Sequence, residues 1–89
     1  MPKQQRMRTL AYRWHGGQDS PLYSFASTGG VVHTQEHREG LVAEVQENVG
    51  WCEANPGTTE AADLPALREL LVFVSAVKLE AEPARFPRR

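Results

Sequence analysis

The sequence has 89 residues and a mass of 9.9 kDa, which fits one small domain and excludes a two-domain enzyme with a cleft between its halves. Hydrophobic residues make up 40% and charged residues 24%, as in an ordinary globular protein rather than a disordered chain. The single cysteine, Cys52, cannot form an intrachain disulfide and favours the cytoplasm. No apolar run reaches the roughly 20 residues that cross a bilayer, so we expect no membrane partner.

The net charge of −1 conceals basic ends on an acidic middle. Residues 1–18 carry four basic and no acidic side chains, residues 19–83 carry eleven acidic against three basic ones, and residues 84–89 add three arginines. Both ends also contain prolines and few residues that could pack. We therefore predict a mobile basic N-terminal arm over residues 1–8, a single domain over residues 9–80 and a mobile basic C-terminal tail over residues 81–89.

Three short segments in the first third of the chain alternate apolar with polar or small residues, which is typical of half-buried strands. They are residues 9–15, 22–28 and 31–33. Gly29 and Gly30 separate the second segment from the third, and a type I′ hairpin turn needs positive φ at both central positions. The pattern predicts a three-stranded antiparallel meander.

Two helices are predicted to follow. Thr34 is a suitable N-cap, and a helix from there to about Asn55 would place five apolar residues on one stripe. The stripe comprises Leu41, Val42, Val45, Val49 and Cys52. A second helix would begin at Thr59 or Asp63, although the valines between residues 70 and 77 leave a strand open there. The predicted fold is α+β, in the order βββαα.

One segment resembles a metal-binding motif. His33, Glu36 and His37 follow the H-x-x-E-H order of inverted zinc peptidases, in which two histidines one helical turn apart bind zinc and the glutamate polarises water. That chemistry needs all three residues on one helix, whereas the predicted strand ends near His33 and the helix begins after Thr34. Metal binding remains an alternative, two exposed histidines at a helix start are the simpler interpretation, and we assign no cofactor.

Nucleic-acid binding is a second alternative. Tyr12, Trp14, Tyr23 and Phe25 could form a stacking platform for single-stranded nucleic acid, or they could be the core of the sheet. The basic side chains at the two ends could contact phosphates. These are Lys3, Arg6, Arg8, Arg13, Arg88 and Arg89. A pI of about 6.3 and an acidic first helix oppose this hypothesis.

The apolar arc of the second predicted helix covers about half of its circumference, more than packing on one side requires. Its excess suggests a homodimer interface through Leu70, Phe73 and Val77. The first helix also carries an acidic face that could meet a basic protein partner. This face comprises Glu36, Glu39, Glu44 and Glu47. No acid, base and nucleophile converge, and Cys52 lies on an apolar stripe, so we predict a non-enzymatic interaction module that binds another macromolecule as a homodimer.

Overall fold

The structure is a computed structural model that describes residues 2–81. The described residues form four α-helices and one short 3-10 helix. They are α1 (Lys3–Trp14), α2 (Pro21–Ser27), α3 (Gln35–Ala54), the 3-10 helix (Glu60–Asp63) and α4 (Leu64–Ser75). Within residues 2–81 no helix is long and apolar enough to cross a membrane.

The predicted α+β fold is wrong, because residues 2–81 contain no sheet. The single β-bridge in this part of the chain is isolated and parallel, between Val32 and Leu79. It is supported by a hydrogen bond of 2.9 Å from the Glu80 amide to the Val32 carbonyl. The segments predicted as the first two strands form α1 and α2 instead.

Helix α1 forms because its apolar residues recur at helical spacing. Met7, Leu10 and Ala11 are buried, and Trp14 packs partly buried beside them, so the four residues occupy positions i, i+3, i+4 and i+7 of one face. Residues 3–8 of the predicted N-terminal arm are part of this helix, since α1 begins at Lys3. Of the predicted C-terminal tail, residues 82–89 lie outside the described residues.

Helix α2 is short and has a defined signal at each end. The Ser20 hydroxyl accepts a hydrogen bond from the Tyr23 amide, and Pro21 occupies the first turn. At the other end Gly29 has φ +81°, and the Gly30 amide donates to the Phe25 carbonyl at 2.9 Å. This bond closes a Schellman motif, so the glycine pair terminates a helix and does not turn a hairpin.

The prediction of the first long helix is confirmed by α3. The Thr34 hydroxyl accepts a hydrogen bond from the His37 amide at 3.0 Å, and the helix ends at Ala54, just before Pro56. All five residues of the predicted stripe are buried or pack partly buried against the core. A Cβ on Gly40 would lie 3.0 Å from the Pro21 ring. The absence of a side chain at this position therefore lets the start of α2 pack closely against α3.

The second predicted helix is confirmed by α4, which excludes the strand alternative over residues 70–75. Its apolar arc is covered within one chain, because α4 packs against α3 and α1. Leu67, Leu70 and Val74 are buried. Val72, which the sequence places outside the arc, is 67% exposed. The width of the arc therefore reflects two helical neighbours rather than surplus apolar surface.

Candidate functional site

Three aromatic rings cluster on the surface where α1, α2 and the loop between them meet. Tyr12 projects from α1, Tyr23 from α2, and His15 from the start of the loop. The ring centroids are 5.3 Å apart for Tyr12 and His15, 5.0 Å for His15 and Tyr23, and 6.2 Å for the two tyrosines. Tyr12 is 62% exposed. We call these three residues the aromatic cluster.

The α1–α2 loop, which carries His15, is held by a carboxylate from α3. Glu44 accepts hydrogen bonds from the Gly16 amide at 3.1 Å and from the Leu22 amide at 2.9 Å. The second amide lies in the first turn of α2, where backbone donors lack helical partners and a negative charge is favoured. In addition, the Gly17 amide donates to His15 Nδ1 at 3.0 Å. The positions of His15 and of the start of α2 are therefore fixed by tertiary contacts.

A groove runs beside Tyr12 between α1 and α2. One part has a volume of about 370 Å³ and is lined by Gln5, Arg8, Thr9, Tyr12, Ala26 and Ser27. A second part of about 200 Å³ is lined by Pro2, Gln4, Gln5, Arg8 and Gly29. Because Gln5 and Arg8 line both parts, we treat them as one groove, the α1–α2 groove. Its described lining contains one charged side chain, Arg8, and no carboxylate.

Arg8 reaches across the groove to the end of α2. Its Nε and Nη2 atoms donate to the Ala26 carbonyl at 3.3 and 3.2 Å, where the helix dipole favours a cation. Arg8 is half-buried. Among residues 2–81 no carboxylate lies within ion-pair distance of it. The guanidinium therefore brings a positive charge into the groove that backbone dipoles offset only in part.

The other basic residues of α1 are paired with acids of the same chain. Lys3 and Arg6 lie 3.6 and 3.3 Å from the Glu69 carboxylate of α4. Arg13 binds Asp63 through two hydrogen bonds of 3.0 Å. Of the residues predicted for nucleic-acid binding, these three have local partners, Arg8 lines the groove, and Arg88 and Arg89 lie outside the described residues.

Asp63 links α1 to the start of α4. Besides Arg13, it accepts a hydrogen bond of 2.7 Å from the Trp14 indole Nε1. Burial works against the ionised form, but the hydrogen bonds from Arg13 and Trp14 and the charge of Arg13 outweigh it, so the pKa of Asp63 lies below its usual range. Asp63 thus stabilises the fold in its ionised form.

We expect the Asp63 contribution to be lost in acid. Because its pKa is lower in the folded than in the unfolded chain, the stabilisation is complete above the unfolded pKa of about 3.9 and disappears as pH falls through the folded value. Asp63→Asn should lower the free energy of unfolding by about 1 kcal/mol at neutral pH. Urea titrations at a series of pH values should show a smaller acid-induced loss for this variant than for the wild type.

Tryptophan emission gives a local readout of the same carboxylate. With Trp51→Phe as background, the remaining Trp14 should change emission as Asp63 is protonated, and Asp63→Asn should abolish the change. Glu47→Gln is the matched control, since Glu47 is an exposed acid on α3. Equal acid sensitivity of stability in the Asp63 and Glu47 variants would contradict the assignment.

The two histidines of the predicted metal motif bond to different segments of the chain. Thr34 caps α3, so Glu36 and His37 lie in its first turn and His33 precedes the helix. His33 Nδ1 is 2.7 Å from the Glu80 carbonyl, and His37 Nε2 is 3.0 Å from the Pro21 carbonyl. Within residues 2–81 no group of three potential ligands is placed to hold a metal ion. The structure does not bring the motif together as a site.

The predicted acidic face is divided by the fold. Glu36, Glu39 and Glu47 are exposed on α3, whereas Glu44 is turned toward the α1–α2 loop.

The residues predicted to form a dimer interface pack in or against the core of one chain. Leu70 is buried in the core, and Phe73 and Val77 are partly buried against it.

The four aromatic residues that suggested a stacking platform separate in the same way. Phe25 is buried, with its ring centroid 6.3 Å from that of Phe73. Trp14 packs partly buried against the core and contacts Trp51 edge to face. Tyr12 and Tyr23 remain at the surface, in the aromatic cluster.

Cys52 is buried, and burial, followed by the charges of Asp63 and Glu60, raises its pKa, as expected for a structural thiol.

Comparisons of the chain with protein-family models, curated proteins and solved structures find no match.

Sequence reasoning identified Tyr12, Tyr23 and Arg8 as candidates but assigned no site role to His15, and it placed Glu44 on a partner-binding face. Ser20-Pro21 and Gly29 are the signals that could have indicated α2, and with it the α1–α2 groove.

Proposed function

We propose that the protein is a non-enzymatic protein-binding module whose α1–α2 groove, together with the aromatic cluster, holds a segment of a partner protein. The observation that carries the proposal is the exposure of Tyr12, 62%, beside a groove of about 370 Å³. A large aromatic side chain left in water beside a concave surface is a feature of interaction sites, in which tyrosine and arginine are enriched.

Rigidity of the surface supports the same function. The rings of His15 and Tyr23 pack against each other and against Tyr12, and Glu44 fixes the loop and the start of α2. A partner would therefore meet side chains whose arrangement is already established. Less conformational entropy is lost on binding when a surface is preorganised in this way.

The cytoplasmic location remains part of this proposal, and a homodimer remains part of it without an assigned interface. The single cysteine supports a reducing compartment. A dimer through Leu70 has lost its support, because Leu70 is in the core of one chain. Any self-association would have to use exposed residues, and sedimentation velocity would detect it.

The test is a selection of random short peptides on the folded protein, followed by calorimetric titration of the enriched peptides. Tyr12→Ser should weaken their binding at least tenfold, since truncating a central hot-spot aromatic residue costs about 2 kcal/mol or more. Val72→Ser is the matched control, because Val72 is similarly exposed but lies on α4. Circular dichroism should show both variants folded.

Two results would overturn the proposal. One is the absence of any enriched peptide. The other is binding that Tyr12→Ser leaves unchanged or that both substitutions weaken equally, which would place the contact outside the α1–α2 groove.

A further inference from the structure

We infer that the segment bound in the α1–α2 groove is acidic, and that Arg8 forms an ion pair with one of its carboxylates. This inference rests on the proposed function and adds the chemical class of the partner. It assigns to Arg8 the role of selecting the ligand, in addition to its contact with the end of α2.

The electrostatic state of Arg8 favours an anionic ligand. Its guanidinium is half-buried and bonds to a single neutral acceptor, the Ala26 carbonyl. The described cations that form ion pairs each have a carboxylate within 3.6 Å; they are Lys3, Arg6, Arg13 and Arg68. A partly desolvated cation interacts more strongly with an added anion than a fully hydrated one does. Arg38 is likewise half-buried and bonds to neutral acceptors, but the concave surface that it lines also contains Glu39. Of these two arginines, Arg8 is therefore the better placed to bind an incoming carboxylate, because its groove contains no acid.

The composition of the groove favours the same kind of ligand. Its lining offers amides and hydroxyls from Gln4, Gln5 and Ser27, an aromatic ring from Tyr12, and no acid. No described acid is among the lining residues, because the acids lie in the α1–α2 loop, on α3, in the 3-10 helix, on α4 and at Glu80. The groove lining therefore carries a positive charge on a chain of net negative charge. Charge complementarity favours an anionic occupant here.

The spacing of Arg8 and Tyr12 favours a protein segment over a small anion. Arg8 and Tyr12 are four residues apart on α1, so they lie on the same face of the helix, about one turn from each other. Both line the same part of the groove. A short segment with an acidic residue next to an apolar or aromatic residue could contact both at once, which neither a free carboxylate nor a purely apolar segment could do.

A polynucleotide fits these observations less well. Phosphate binding along a strand requires several available cations, but Lys3 and Arg6 are paired with Glu69, and Arg13 is paired with Asp63. One cation beside one exposed tyrosine suits a single carboxylate in a peptide. The occupant we argue for is therefore an acidic protein segment.

The experiment uses the peptides enriched on the wild-type protein. We expect acidic residues to be over-represented among them. In each tight binder, Glu→Gln or Asp→Asn at the conserved acid should weaken binding about tenfold. Arg8→Gln should weaken the parent peptide to a similar extent, and Arg8→Lys should lose less. When both partners are changed, the losses should not add, because the same ion pair has been removed twice.

The peptide substitution tests the inference even where Arg8→Gln affects folding, since the protein is then wild type. Arg38→Gln is the control on the protein side, because Arg38 also bonds to a backbone carbonyl, that of Val77, but lies on α3. Affinity for the parent peptide should be unaffected by it.

The outcomes separate the inference from the function on which it rests. Enriched peptides that depend on Tyr12 but lack acids, or whose binding is insensitive to Arg8→Gln, would overturn the inference and leave the protein-binding function in place. If the binding of no peptide depends on Tyr12, both the inference and the proposed protein-binding function fail. Binding of a single-stranded oligonucleotide that competes with the peptides and weakens with Arg8→Gln would assign the groove to nucleic acid and overturn the inference. Self-association abolished by Arg8→Gln, without peptide binding, would make a second copy the occupant and overturn it as well.

Discussion

Leu70→Ala is expected to lower the free energy of unfolding by about 2–5 kcal/mol, the range for removing a large aliphatic side chain from a packed core. Leu70 is fully buried, on the face of α4 that packs toward α3 and α1. The neighbouring helices hold the cavity walls in place, so the cavity left by alanine would close only in part. Chemical denaturation monitored by circular dichroism measures the change.

Val72→Ala is the matched control on the same helix. Its side chain is 67% exposed, and surface substitutions of this kind change stability by no more than about 0.5 kcal/mol. A Leu70→Ala protein that kept its stability but lost self-association would support the interface role that the sequence suggested for Leu70. Such a result would contradict the packing described here.

Glu44→Ala is expected to lower the free energy of unfolding by about 2–3 kcal/mol. Its carboxylate accepts from two backbone amides, those of Gly16 and Leu22, and hydrogen bonds to charged groups contribute about 1.5–3 kcal/mol each when buried. Glu44 is half-buried, which keeps the expected total below the sum for two buried bonds. Glu44→Gln should lose less, because its amide retains one acceptor oxygen.

Glu44→Ala should also weaken peptide binding, because the position of His15 in the aromatic cluster depends on the loop that Glu44 holds. Glu47→Ala is the control, because Glu47 is an exposed acid one turn further along α3. It should leave both stability and binding near the wild-type values. Equal effects of Glu44→Ala and Glu47→Ala would mean that the two acids belong to one exposed acidic face, as the sequence alone predicted.

Helices α3 and α4 could be predicted because their signals are local and agree with one another. Thr34 begins α3, Pro56 follows its end, and the apolar residues between them keep one helical stripe. In each helix the boundary residues and the periodicity of the apolar residues indicated the same element, and such agreement makes an element predictable. The strand alternative for residues 70–77 depended on the β-propensity of valine and phenylalanine, which tertiary packing overrides.

Helices α1 and α2 were missed because short segments satisfy two patterns at once. Residues 9–15 alternate at Leu10, Tyr12 and Trp14, yet Met7, Leu10, Ala11 and Trp14 also follow helical spacing. The structure buries the helical set and exposes Tyr12. The alternating pattern was misleading because it counted Tyr12 toward the core, whereas Tyr12 lies at the surface.

The candidate site could be predicted only in part. Tyr12 and Arg8 were recognisable as an aromatic and a basic residue, but their placement in one groove requires α1 and α2 to be helices. Glu44 is separated by 28 residues from the Gly16 amide that it binds, and no local pattern indicates such a contact. Long-range hydrogen bonds of this kind depend on the tertiary fold and have no signature in a single sequence.

Amide chemical shifts during titration with an enriched acidic peptide test most directly whether the α1–α2 groove is the binding surface. We expect the largest changes at residues that line the groove, namely Gln5, Arg8, Tyr12 and Ser27, with small changes at the exposed Trp51 and Val72. Changes centred on α3 or α4, with the groove residues unaffected, would show that the peptide binds elsewhere.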